Sequence, residues 1–169
     1  GAASHELSPQ QVERVARRCL SYVDDDLGIE FLDLGETLNE VLEKAPLERI
    51  TDPDSPAMAI VARIRDAARR VVSQVKGDEP EAKQAAAAAK EVFDVAEAMA
   101  AMKDTDVVWV SERERFGRWL VCAPLDVAFL LRDRVLAQTP TILTSATLTL
   151  GGQFEAAANT VGLRRSERL

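Results

Sequence analysis

The chain has 169 residues, of which 47% are apolar and 29% charged, and it carries a formal net charge of −7. These proportions exclude disordered, collagen-like and membrane-spanning chains, and the acidic balance argues against a nucleic-acid-binding surface covering the whole molecule. The two cysteines, Cys19 and Cys122, lie far apart without ligand-type spacing; a disulfide framework, a zinc site and an iron–sulfur cluster have no support in them, and the chain reads as cytosolic.

Ser8, Pro9 and Gln11 have the form of an N-cap, a proline at the first helical position and a capping partner, which predicts a helix start. His5, just ahead of it, falls in what reads as a frayed terminus. Val12, Val15, Cys19 and Val23 recur at three- and four-residue steps on one face, and Asp24-Asp25-Asp26 ends the pattern. Leu27, Phe31, Leu34, Leu38 and Val41 repeat the rhythm before Pro46. After the turn-like stretch from Asp52 to Pro56, a third stripe runs through Ile60, Ile64, Ala67, Val71 and Val75 to Gly77; a fourth is Ala85, Ala89, Val92, Ala96 and Met99. Each helix has one apolar stripe and a charged remainder, so the economical arrangement is a bundle of four. The five alanines from Ala85 to Ala89 fit either close helix packing or, more simply, high helix propensity.

Two arginine groups stand on these helices: Arg14, Arg17 and Arg18, then Arg63, Arg65, Arg69 and Arg70. Acidic neighbours, including Glu13 and Asp66, favour solvated, salt-bridged faces. The other reading is a phosphate track, with Arg14, Arg18, Arg63 and Arg70 as the candidate nucleic-acid contacts. No residue in this half forms a catalytic or metal-ligating group.

The composition changes near Asp104. Up to that residue there are 13 basic and 21 acidic side chains, a balance of −8; beyond it there are 8 and 7, a balance of +1. Val107 to Ser111 and Arg118 to Cys122 are short Val- and Trp-containing runs joined by a polar connection ending in Gly117, which predicts a hairpin. Trp109 and Trp119 fit anchors between sheet and bundle, or alternatively base-stacking platforms. Leu125, Phe129, Leu130 and Val135 give a helix up to Thr139-Pro140, and Thr141 to Ser145 has the look of a buried strand of a parallel sheet. Strand, helix and strand make a right-handed βαβ unit. The whole is predicted to be predominantly α: a four-helix bundle, then a small α/β segment of hairpin plus βαβ. Standing alone, the Thr141–Ser145 strand would expose unpaired edges, which favours disorder after Thr139 or self-association.

Ligand chemistry in parallel sheets gathers beyond the carboxyl ends of the strands, which is where Thr144, Ser145, Ala146 and Thr147 fall. Their hydroxyls can switch hydrogen bonds between a carboxylate and a bound group, or simply satisfy nearby backbone.

The strings Ala123-Pro124-Leu125-Asp126-Val127, Ile142 to Thr149, Gly151-Gly152 with Phe154, and Val161-Gly162-Leu163 resemble the middle of DinG-like DNA helicases, relatives of the XPD family in superfamily 2. The resemblance spans about a third of the chain, from Val107 to Leu163. It implies that Ser145, Ala146 and Thr147 are helicase motif III, the coupling segment between the nucleotide site and unwinding, with Thr144 beside them. It further implies that residues 1–104 are the helical arch insertion that guides single-stranded DNA. Residues 105–150 would be the end of the first RecA-like motor domain, and 151–169 the start of the linker and second motor domain.

Such enzymes use ATP and Mg, act on single-stranded or forked DNA in repair or replication, and work in the bacterial cytosol or nucleoid. The chain lacks a glycine-rich loop ending in Gly-Lys-Ser/Thr and an Asp-Glu-Ala-His motif; His5-Glu6-Leu7 only echoes what can follow the latter. It is therefore expected to be a catalytically silent piece of a larger helicase that binds neither ATP nor Mg and docks on the remaining motor domains. An iron–sulfur cluster or a nuclease domain in the parent is left undecided. A non-enzymatic acidic helical interaction module is the alternative from another class.

Overall fold

The computed structural model describes residues 4–138. Strand β1 (His5–Leu7) leads into helix α1 (Pro9–Cys19), then a 3-10 turn over Leu20–Tyr22 and helix α2 (Asp25–Lys44). Strand β2 (Arg49–Ile50) is followed by α3 (Pro56–Gln74), α4 (Pro80–Ala101), β3 (Asp106–Arg113), β4 (Gly117–Pro124) and α5 (Leu125–Gln138). The chain is mainly helical, with the bundle helices preceding the hairpin, as the periodicities predict.

The helix starts follow from local chemistry. Ser8 Oγ accepts from the Gln11 amide at 3.1 Å and Pro9 occupies the first turn of α1. Ser55 does the same for Met58 at 3.3 Å, ahead of Pro56 at the start of α3. Each cap satisfies an amide that the helix itself leaves unpaired. Asp25 and Asp26 sit in the first turn of α2, where the positive end of the helix dipole favours them. Thus the acidic run that closes one apolar stripe also opens the next helix.

Two compact units are present. The helical unit comprises residues 7–41 and 52–101. Its core holds Val12, Val15, Phe31, Leu34, Leu38, Ile64, Val71, Val92 and Met99, all buried. Helices α3 and α4 form the most extensive helix pair, and α1 also packs on α4. Ala67 and Ala68 on α3, and Ala82, Ala85, Ala89 and Ala96 on α4, are fully buried. Side chains this small let neighbouring backbones come close without a void. Of the two readings of the Ala85–Ala89 run, close packing holds for Ala85 and Ala89, which are core residues, while Ala87 faces solvent.

The second unit comprises, among the described residues, 4–6, 42–51 and 102–138. It contains a four-stranded sheet in the order β1-β4-β3-β2. β3 and β4 form the expected hairpin, antiparallel in register from Asp106 opposite Pro124 to Arg113 opposite Gly117. β2 pairs antiparallel with the other edge of β3, Arg49 opposite Trp109. From Trp119 to Ala123 every residue of the inner strand β4 is buried, so both of its faces are covered.

The sheet differs from expectation at its edges. His5 is not in a frayed end but in strand β1, and β2 was not foreseen at all, because two or three residues are too few to display a period of two. Pro124 is the last residue of β4, which runs two residues past the expected Cys122. There the Leu125 amide bonds to the Thr105 carbonyl at 2.9 Å as α5 begins. The strand expected over Thr141–Ser145, the βαβ unit it would complete and its exposed edges lie outside the described residues.

Candidate nucleic-acid interface

Thr144, Ser145, Ala146 and Thr147 also lie outside the described residues, so the structural record of the candidate site is that of the arginines and the hairpin. The four arginines differ in their partners. Arg14 stands exposed on α1 and Arg63 on α3, neither with a hydrogen-bond or ion-pair partner among the described residues. Arg18 donates to Gln84 Oε1 of α4 at 3.2 Å, and Arg70 pairs with Glu30 of α2 at 3.1 Å. Arg65 pairs with Asp66 at 3.1 Å, and Arg17 with Glu13 at 3.9 Å. Half of the proposed track thus joins one helix to another.

Arg18 and Gln84 border a shallow open depression of about 460 Å³ along α4, which Lys90, Glu91 and Asp94 also line. Its one lysine is tied to Asp94 at 2.9 and 3.1 Å. The cationic and anionic groups offset one another, and the depression has no preference for a phosphate.

The hairpin tip is different. Arg113 and Gly117 close it, and the Phe116 amide donates to the Arg113 carbonyl at 3.1 Å. Arg115 occupies the left-handed region with φ 72°, a conformation that costs a residue with a Cβ about 1 kcal/mol. Gly117, φ 94°, has no such penalty, and a Cβ there would meet nothing. Phe116 is 41% exposed. Its ring meets that of Trp119 edge-to-face at 5.2 Å, and the Arg113 guanidinium lies 5.3 Å from the Trp119 ring centroid. Trp119 is buried, yet its indole Nε1 has no acceptor among the described residues.

Sequence reasoning named Trp119 as a possible stacking residue but passed over Arg113, Arg115 and Phe116. The available signal was the composition of the connection itself, a polar run ending in an aromatic and a glycine.

Behind the tip, Arg118 supports the hairpin. Its Nε bonds Glu112 Oε2 at 3.0 Å, while one terminal nitrogen reaches the carbonyls of Leu42, Glu43 and Ala45 at 3.0, 3.3 and 2.6 Å. These carbonyls lie at and just past the end of α2, where the helix dipole is negative and intrahelical amides run out; that of Leu42 also accepts from the Ala45 amide at 3.2 Å.

The thiols do not prepare a reactive or metal-binding centre. Burial pushes Cys19 above its ordinary value despite Arg18 nearby; its Sγ lies 3.5 Å from the Ala85 carbonyl. Cys122 is pushed up to about 11, first by burial and then by the charge of Asp106. Among the described residues no group of three His, Cys, Asp or Glu side chains comes together as a metal site, and no helix is long and apolar enough to cross a membrane.

Part of the chain is similar to ATP-dependent helicases. A stretch of 62 residues, 35% of the chain, is 48% identical to the ATP-dependent helicase DinG of Mycobacterium tuberculosis and, equally, to that of Mycobacterium bovis. That stretch is 9% of the length of those relatives, so the chain matches only a small part of them. No family model matches the chain, and no solved structure does. The chain is therefore related to DinG helicases over a segment.

Proposed function

We propose that the chain is a segment of an ATP-dependent DNA helicase of the DinG type, active in repair or replication in the bacterial cytosol. The observation that carries this reading is the 48% identity over 62 residues to DinG helicases. In it, residues 1–104 supply the helical arch beside a single strand of DNA. Residues 105–150 complete a motor domain, and 151–169 lead towards the next one. Arg14 and Arg63, exposed and without partners among the described residues, suit phosphate contacts better than Arg18 and Arg70, which bridge helices.

ATP and Mg are expected for the whole enzyme, but the residues here do not fit them. The chain has no phosphate-cradling glycine loop with its lysine, and the described residues contain no convergent acidic group. Both would be held by other parts of a longer protein. The contribution of this chain is the segment Thr144, Ser145, Ala146 and Thr147, whose hydroxyls can exchange hydrogen-bond partners between the two sides of a cleft. The Thr147→Ala variant of the intact helicase should hydrolyse ATP near the parental rate yet unwind about tenfold less duplex per ATP, the equivalent of one lost charge-assisted hydrogen bond. Unchanged unwinding per ATP in a coupled helicase assay would remove the relay role.

A second reading, a helical interaction module, is favoured by the charge of −8 gathered on residues 1–104. A phosphate-binding loop encoded upstream in the same gene would decide against it.

A further inference from the structure

We infer that the tip of the β3–β4 hairpin is a contact for single-stranded DNA, with Phe116 stacking on a base and Arg113 and Arg115 holding the flanking phosphates. The choice of DNA rests on the helicase reading above; the contact itself rests on the tip. Phe116 projects 41% of its surface into solvent at a turn, and its edge-to-face contact at 5.2 Å braces it against the buried Trp119. Bracing holds the ring in place before a base arrives, which lowers the entropy lost on stacking. Arg113, over the Trp119 ring, is likewise positioned without being neutralised, because its contact is with a π face and not with a carboxylate.

The local charge fits the same partner. Arg115 makes no ion pair or hydrogen bond among the described residues. Glu112 is already engaged by Arg118 at 3.0 Å, and within the turn from Arg113 to Gly117 one carboxylate, Glu114, stands beside two guanidinium groups. The tip is thus locally cationic on a chain of net charge −7. Alternating cationic and aromatic groups suit a strand whose bases offer π faces and whose phosphates repeat along the backbone. Trp119 adds a buried donor, Nε1, that lacks an acceptor among the described residues.

The test is fluorescence anisotropy of a labelled oligothymidylate titrated with the full 169-residue chain over a series of salt concentrations. Phe116→Ala and Phe116→Leu should each weaken binding at least about fivefold, while Phe116→Trp should retain it, because only an aromatic face stacks. Arg115→Gln should reduce the slope of log affinity against log salt by about 0.7, one phosphate contact on a single strand. Melting curves of the variants within a few degrees of the parent establish that folding is intact, and Phe116→Leu keeps apolar cover over Trp119 if the alanine variant melts early.

Parental affinity and salt slope in Phe116→Leu and Arg115→Gln would overturn the inference, as would no binding by the parent at low salt. Tighter binding of oligouridylate than of oligothymidylate would overturn the assignment to DNA. Because Thr147 plays no part in these titrations, the tip can fail while the coupling role holds, and the reverse.

Discussion

Arg118 shows how one side chain can serve two structures at once. From strand β4 it meets three carbonyls near the end of α2 and one carboxylate on β3, with contacts between 2.6 and 3.3 Å. Replacing it removes the charged donor from these carbonyls, of which that of Leu42 keeps another, the Ala45 amide, and leaves Glu112 without its partner. Arg118→Met is expected to destabilise the fold by about 1–3 kcal/mol, the range for removing charge-assisted hydrogen bonds. Arg118→Lys should recover only part of the loss, since a single ammonium cannot fork between a carboxylate and a helix end. Urea denaturation followed by circular dichroism reads both. This role was not legible in the sequence: Arg118 lies more than 70 residues from the carbonyls it meets, and no local pattern encodes such a pairing. Ser8, by contrast, acts within its own turn, and the four-residue string from Ser8 to Gln11 was enough to predict its bond.

At the scale of elements, the helices were legible because an apolar stripe has to repeat wherever a helix is buried on one side, and 11 to 22 residues give the repeat room to show. The edge strands β1 and β2 were not, since their pairing is fixed by neighbours distant in the chain. Packing distance was the other unreadable quantity. A Cβ at Gly35 of α2 would lie 2.7 Å from Glu13 Cγ, 3.2 Å from the Glu13 amide nitrogen and 3.4 Å from the Pro9 carbonyl, so α1 backbone sets the limit there. At Gly28 the nearest atom, also at 2.7 Å, is the tip of the Leu20 side chain, which can rotate away. Both substitutions to alanine gain helix propensity worth roughly 1 kcal/mol. Gly28→Ala should therefore be neutral or stabilising, and Gly35→Ala destabilising by about 1–3 kcal/mol from overpacking. A pair of thermal melts separates the two signs.

Across the whole molecule, the two units are interleaved in sequence. The chain passes from one to the other after residues 6, 41, 51 and 101. The change of composition near Asp104 was visible, but not the two earlier contributions to the sheet, because residues 5–7 and 49–50 carry no distinguishing composition. Residues 102–138 expressed alone would have β3 and β4 with neither β1 nor β2 beside them, both edges then presenting unpaired backbone groups. That piece should associate or precipitate, and size-exclusion chromatography with light scattering will read it; a stable monomer that melts cooperatively would show that the flanking strands are dispensable. The relation to one family was legible in a different way, through the resemblance of Val107 to Leu163, and the 62-residue similarity to DinG helicases agrees with it. The aromatic and arginine pair at the hairpin tip needed the fold, which turns an ordinary polar connection into a projecting, braced surface.

Strand β1 has as its neighbour β4, which begins at Gly117, far later in the chain. During translation its amides and carbonyls must wait in water until more than a hundred further residues have left the ribosome, whereas α1 to α4 can already collapse on one another. Contacts of such sequence separation form slowly, so the newborn protein should pass through a stage with a finished bundle and an open sheet. Chaperones would meet it at that stage, and slower elongation before Gly117 would prolong it.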